Sequence, residues 1–335
     1  MKALDITYWG YSIVYSCWIL FSSGMNLQKL ETFTTNMLRA SKKFKLEPEI
    51  GAVGVYVAIQ NLTHSGDLKN LSKISNYTSD IHNADFSQIS LLFQSSYWVY
   101  LMATRFIFND IDGAFEIYQR VFSFHKMMTT GAATYFDFLF FGSLVLSALI
   151  FRSQTDPNHQ LSQETQNEFI DQIQSFLSQL KNCSSVFSPN FEHKVLLIEA
   201  ELLKIKGDLN AVIFYDKAIN NALSHGFWNV AAISAERCSE FFLANEALIN
   251  ASTMFERSFE YYRMWGAKSK LEMMRKNPIK SAVSHSSRDD SLDGSSSMHG
   301  SDLSEGMSFG PESLETSFSN SNDSDDRPSS SSSTS

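Results

Sequence analysis

Cysteine, proline and unbalanced charge are all scarce in the part of this chain that carries its hydrophobic residues. Cys17, Cys183 and Cys238 are the only three cysteines in 335 residues. Widely spaced and without a CxxC pair, they exclude a disulfide framework and offer no zinc-ligand spacing, so reduced thiols in a cytoplasmic protein are expected. Between Met1 and Asn277 the prolines are Pro48, Pro157 and Pro189 alone, which leaves long stretches free to run as uninterrupted helix. The longest apolar run, Phe138 to Phe151, has fourteen residues, short of the ~20 that a spanning helix needs. It reads as a buried core helix, and no membrane span is expected. At the N-terminus, ITYWGYSIVYSCWILFSSG is apolar but studded with Ser and Tyr, follows Asp5 and lacks a small-residue cleavage site, so it does not read as a signal peptide.

A clustered basic face is also missing. From Asn277 to Ser335 there are 22 Ser, 10 acidic and 3 basic residues, so this tail carries −7 of the chain's −9 and leaves −2 for residues 1–276. A body so close to neutrality gives no electrostatic reason to bind nucleic acid. The short runs SKKFK at 41–45 and KSKLEMMRK at 268–276 read as helix C-termini, with cations on the helix dipole. The tail itself, with Phe309 and Phe318 as its only aromatics, has too little apolar surface to offset its ordering entropy and is expected to be disordered. Two units follow, a body at 1–276 and a tail at 277–335.

Catalytic signatures are absent as well. There is no GxxxxGK[ST] loop, no GxGxxG after a strand, no HExxH and no GxSxG elbow. The eight histidines, at 64, 82, 125, 159, 193, 225, 285 and 299, never stand three or four apart, so metal ligation has no support. The nearest polar constellation is NFEHKVLLIEAELLKIKG at 190–207, with His193, Glu199 and Glu201. Residues 199 and 201 point about 200° apart on a helix, so a solvated face is the expected reading there. Trp265-Gly266-Ala267 is read as a helix-packing joint. No catalytic, cofactor or metal residue is assigned.

What the body does have is aromatic mass and one period. Its apolar residues, with 27 Phe and 12 Tyr in the whole chain, recur at i, i+3, i+4 and i+7 almost throughout, which predicts an all-α fold. Helices are expected at 6–22, 26–45, 48–63, 87–108, 110–128, 132–152, 162–182, 191–206, 208–224, 227–243 and 246–275, with a polar loop over 64–86. Gly24, Asp110, Gly131, Gly207-Asp208 and Gly226 mark the stops and caps. Connections this short force antiparallel neighbours.

The skeleton also repeats. Ala211, Tyr215, Ala218, Ile219, Ala222 and Gly226 are matched forty residues later by Ala251, Phe255, Ser258, Phe259, Tyr262 and Gly266. Ala114, Tyr118, Val121 and Phe122 echo it. Small residues let two backbones meet and an aromatic one turn on fills the gap to the next hairpin, the pattern of an antiparallel helix-hairpin solenoid of the tetratricopeptide kind, slightly longer than its usual period.

At these residues the sequence resembles a known family. Asn190-Phe191, His193-Lys194, Ala200-Glu201, Tyr215-Asp216, Ala218-Ile219, Glu236, Phe241, Tyr262, Trp265-Gly266-Ala267 and Lys270 look like the helical, tetratricopeptide-like region of multidomain sensor histidine kinases. There it lies between an AAA-type ATPase, preceded by a protein-kinase-like domain, and a GAF domain leading to the kinase core. WGYSIVYSCWILFSSGMNLQKLETF at 9–33 looks like the start of that region, so the resemblance covers roughly residues 1–278. It implies a non-catalytic coupling module of a two-component phosphorelay, whose partners are kinase or ATPase domains. Any histidine kinase activity would lie in flanking domains outside this chain. A stand-alone scaffold whose Ser-rich tail is phosphorylated is the alternative.

Overall fold

In the computed structural model, residues 3–44, 49–64, 90–128 and 130–276 are described. The expected tail at 277–335 and, His64 apart, the loop at 64–86 lie outside them. The described residues form helices and short 3₁₀ turns, with no strand among them. The helices are α1 (Ala3–Ser22), α2 (Leu27–Phe44), α3 (Glu49–Thr63), α4 (Leu91–Ile107), α5 (Ile111–Phe122), α6 (Ala133–Thr155), α7 (Gln163–Ser184), α8 (Ser188–Ile205), α9 (Ala211–Ser224), α10 (Trp228–Ala244), α11 (Leu248–Trp265) and α12 (Lys268–Arg275). Each packs on its sequence neighbour, and α1 with α3, α4 with α6, α6 with α8 and α8 with α10 meet as well. That order, each element touching the next and several touching the next but one, is consistent with a helix-hairpin solenoid.

The helix ends have one mechanism in common. Gly24, Asn109, Gly207, Gly226, Glu246 and Gly266 all adopt the left-handed conformation. In each case the following amide donates back to the carbonyl five residues earlier, from Met25 to Leu20 through Ala267 to Tyr262, at 2.8 to 3.2 Å. This closes the orphan carbonyls of the last turn. The last four lie 19, 20 and 20 residues apart (207, 226, 246, 266), so a pair of helices gives the forty-residue period. The repeat skeleton faces inward: Ala211, Tyr215, Ala218, Ile219, Ala222, Ala251, Phe255, Ser258 and Tyr262 are all buried.

Two boundaries differ from expectation. The run 246–275 is two helices, because Gly266 turns the chain at φ 93°. The run 110–128 ends as a helix at Phe122 and continues as a 3₁₀ turn over His125–Met127.

The N-terminus is built into the C-terminal hairpins. Val14, Cys17, Trp18 and Phe21 of α1 are buried, and the Phe21 ring meets Tyr100 of α4 and Trp265 of α11 at centroid distances of 5.1 and 5.8 Å. The Asn26 side chain donates to the Met264 carbonyl at 3.1 Å, and α12 packs on α3. The interior of the stack is therefore filled by its own first helix, where an open concave surface is the usual feature of a hairpin array. At the centre runs α6, twenty-three residues long, and 83% of its most apolar stretch is covered by the other helices. Length and composition alone would let it cross a membrane.

Candidate functional site

Helix α8 concentrates the polar side chains. His193, Lys194, Glu201 and Lys204 on it are all buried, which corrects the expectation of a solvated face at 190–207. Positions 194, 197, 198, 201, 204 and 205 form one stripe at helical spacing, and α6, α7, α9 and α10 all pack on this helix. Of the three residues singled out from sequence, only Glu199 keeps a half-exposed position, paired with Lys181 at 2.6 Å.

Glu201 is the hub of the larger cluster. Its Oε1 accepts from the Tyr215 hydroxyl at 2.6 Å and Arg237 Nε at 3.0 Å, and its Oε2 accepts from Arg237 Nη2 at 2.7 Å and Ser147 Oγ at 2.9 Å. Arg237 also reaches Glu240 at 2.6 Å, as does Lys204 at 3.3 Å. Two cations thus face two carboxylates, and Lys204 stands 4.0 Å above the Phe151 ring. Burial works to raise the Glu201 carboxyl, but the neighbouring charges of Arg237 and Lys204 and the hydrogen bonds from Arg237 and Tyr215 bring it down to about 2. A buried carboxylate so fully matched is an ionised anchor at neutral pH.

A second cluster ties the last helix in. Lys270 is fully buried and donates to Glu236 Oε1 at 2.6 Å and to the Ile107 carbonyl at 2.5 Å. The Tyr262 hydroxyl donates to the other oxygen of Glu236 at 2.8 Å. This corrects the reading of 268–276 as a cationic helix C-terminus: the run contains all of α12, and Lys270 faces inward. Beside it, Trp265 and Ala267 are buried around the Gly266 turn, a packing joint.

The third cluster opens to solvent. Asp137 of α6 accepts from Lys194 Nζ at 2.7 Å through Oδ1 and from the Ser22 hydroxyl through Oδ2. All three line a cleft of about 310 Å³ whose walls include Tyr15, Ile19, Phe136, Phe191 and Phe227.

The buried histidine and two buried thiols are held away from the neutral range. Burial, helped by the charge of Lys194, pushes His193 down to about 3; the ring lies 4.1 Å from that of Phe227. Burial raises the Cys17 thiol to about 11 and that of Cys238 to about 12. Among the described residues no three His, Cys, Asp or Glu side chains are grouped to hold a metal ion.

Sequence reading missed Ser22, Asp137, Lys204 and Arg237, and it singled out Lys194 and Lys270 through the resemblance alone, without their charge partners. One signal was present: charges on the stripe that also carries Leu197, Ile198 and Ile205 sit on a face that must be buried. Compared with family models, curated proteins and solved structures, the chain matches none.

Proposed function

We propose that the body is a non-catalytic helical-repeat module that couples domains of a phosphorelay signalling protein of the sensor histidine kinase kind, working in the cytoplasm through protein contacts. The observation that carries the reading is where the resembling residues lie. Lys194, Ala200, Glu201, Tyr215, Phe241, Tyr262, Trp265, Ala267 and Lys270 are all buried, and most of them make the ion clusters and the Gly266 joint. Residues of that kind belong to a packing code that keeps a stack rigid, and a rigid stack passes a displacement at one hairpin to the others as a whole-body movement.

Protein contact has support of its own in exposed apolar residues that follow the repeat. Leu209 and Ile249, forty positions apart, are 66% and 81% exposed, and Ile213 and Leu248 beside them are more than half exposed. Such side chains on otherwise polar edges favour protein partners over nucleic acid. With α1 in the interior, partner domains would meet the outer edges of the hairpins.

Two measurements test the reading. An antibody against residues 191–276, used on native lysate, should detect a band several times the 37.9 kDa of this chain. A band at 37.9 kDa would favour the stand-alone scaffold. Nucleotide hydrolysis or small-molecule turnover by the purified chain would overturn both versions.

A further inference from the structure

We infer that the cleft between α1, α6 and α8 is a binding site for a small, mostly apolar, neutral molecule carrying one hydrogen-bond acceptor. The inference does not depend on the signalling role. Apart from Ser22, Ser23, Asn190 and the ion pair, its walls are mostly aromatic and aliphatic: Phe136 and Phe191 stand edge to face at a centroid distance of 4.9 Å, and Ile19 at the mouth is 55% exposed. At about 310 Å³ the space is at the lower end of the range for ligand pockets, which fits a single-ring or medium-chain molecule.

The polar end sets the chemistry. Lys194 is buried, and among the described residues its ammonium donates to one acceptor, Asp137 Oδ1 at 2.7 Å, with the Phe140 ring 5.4 Å away. An ammonium has three donors, and a buried one left with unspent N–H groups is costly unless something accepts from it. Lys194 lines the cleft, so a guest can supply that acceptor. The charge is already matched: Asp137 holds Lys194 on one oxygen and the Ser22 hydroxyl on the other. An anionic guest would add a second negative charge beside that carboxylate, with no further cation among the described residues that line the cleft. A ketone, ester, amide or hydroxyl oxygen meets the need without that penalty.

The test uses the full chain with three single-ring probes: acetophenone, benzoate and ethylbenzene, each titrated and followed by NMR shifts of the Ile19 and Ala133 methyls. Acetophenone should shift both saturably and bind at least tenfold more tightly than benzoate or ethylbenzene. The double variant Lys194→Met with Asp137→Leu removes the ammonium donor without leaving a lone buried charge or adding a new donor, and should cut acetophenone binding about tenfold while leaving ethylbenzene unchanged. Ile19→Trp fills the exposed mouth without touching the ion pair, should keep the wild-type melting temperature, and should abolish binding of all three. It decides the matter alone if the double variant does not fold. Absence of saturable binding, unaltered binding in Ile19→Trp, or preference for benzoate would overturn the inference.

Discussion

Lys270 of α12 donates to the carbonyl of Ile107, the last residue of α4, across 163 positions of chain. The same ammonium is paired with Glu236 of α10, so one side chain ties three helices together. Replacing it with Met should leave the Ile107 carbonyl and the Glu236 carboxylate short of a partner and lower stability by about 3 kcal/mol. The pair Lys270→Met with Glu236→Gln should recover part of that loss. Urea denaturation of the two variants and the parent checks both; equal stability of all three would mean that the tie contributes nothing.

The left-handed helix ends predict changes of opposite sign. Glu246 holds φ 59° and is exposed, a conformation that costs a side-chain-bearing residue about 1 kcal/mol. Glu246→Gly should raise the melting temperature by a few degrees. Gly266→Ala should lower it, and by more than Gly207→Ala. Both glycines have positive φ, but a β-carbon at 266 would stand 3.2 Å from Asn26 Nδ2 whereas one at 207 meets nothing within 4 Å.

Gly54 answers to a different constraint, since a β-carbon there would lie 2.7 Å from the backbone of Tyr97 on α4. The missing side chain sets how closely α3 and α4 approach. Gly54→Ala should cost about 1–3 kcal/mol through overpacking, although alanine is the better helix former. A gain in the denaturation midpoint would refute this.

Acid should weaken the fold first through His193. Its folded-state value of about 3 lies below the ordinary 6.5, so between those values the unfolded chain binds a proton that the folded chain does not. The contribution is whole above pH 6.5 and shrinks as pH falls, at up to about 1.4 kcal/mol per unit. Glu201, lowered from 4.5 to about 2, adds its own loss only below pH 4.5. Between 6.5 and 4.5 the slope therefore belongs mainly to His193, and His193→Phe, which can keep the contact with Phe227, should flatten it in a series of denaturation midpoints.

The helices, several of their caps and the forty-residue repeat were legible because they are local: Gly24, Gly207 or Gly226 at a stop, Asp110 at a start, Ala and Tyr one turn apart on a face. Glu246 escaped notice as a helix stop because its side chain does not advertise the left-handed turn that Gly207, Gly226 and Gly266 do. The buried charges escaped for another reason. Lys194, Glu201, Lys204, Arg237 and Lys270 each resemble a solvated residue until the partner is known, and the partners of Lys194, Arg237 and Lys270 are 57, 36 and 34 positions away. The cleft is assembled from α1, α6, α8 and the residue before α10, and no sequence window holds even two of its walls with the ion pair.

An array whose ends are free can gain or lose a hairpin by duplication at little cost, since each unit answers only to its neighbours. Here α12 rests on α3, and Asn26 holds the carbonyl of Met264. One hairpin more would carry the last helix past its seat, and one fewer would stop it short. A change in the number of hairpins between Asn26 and Met264 would therefore break this closure, whereas a change in the outer edges would leave it intact.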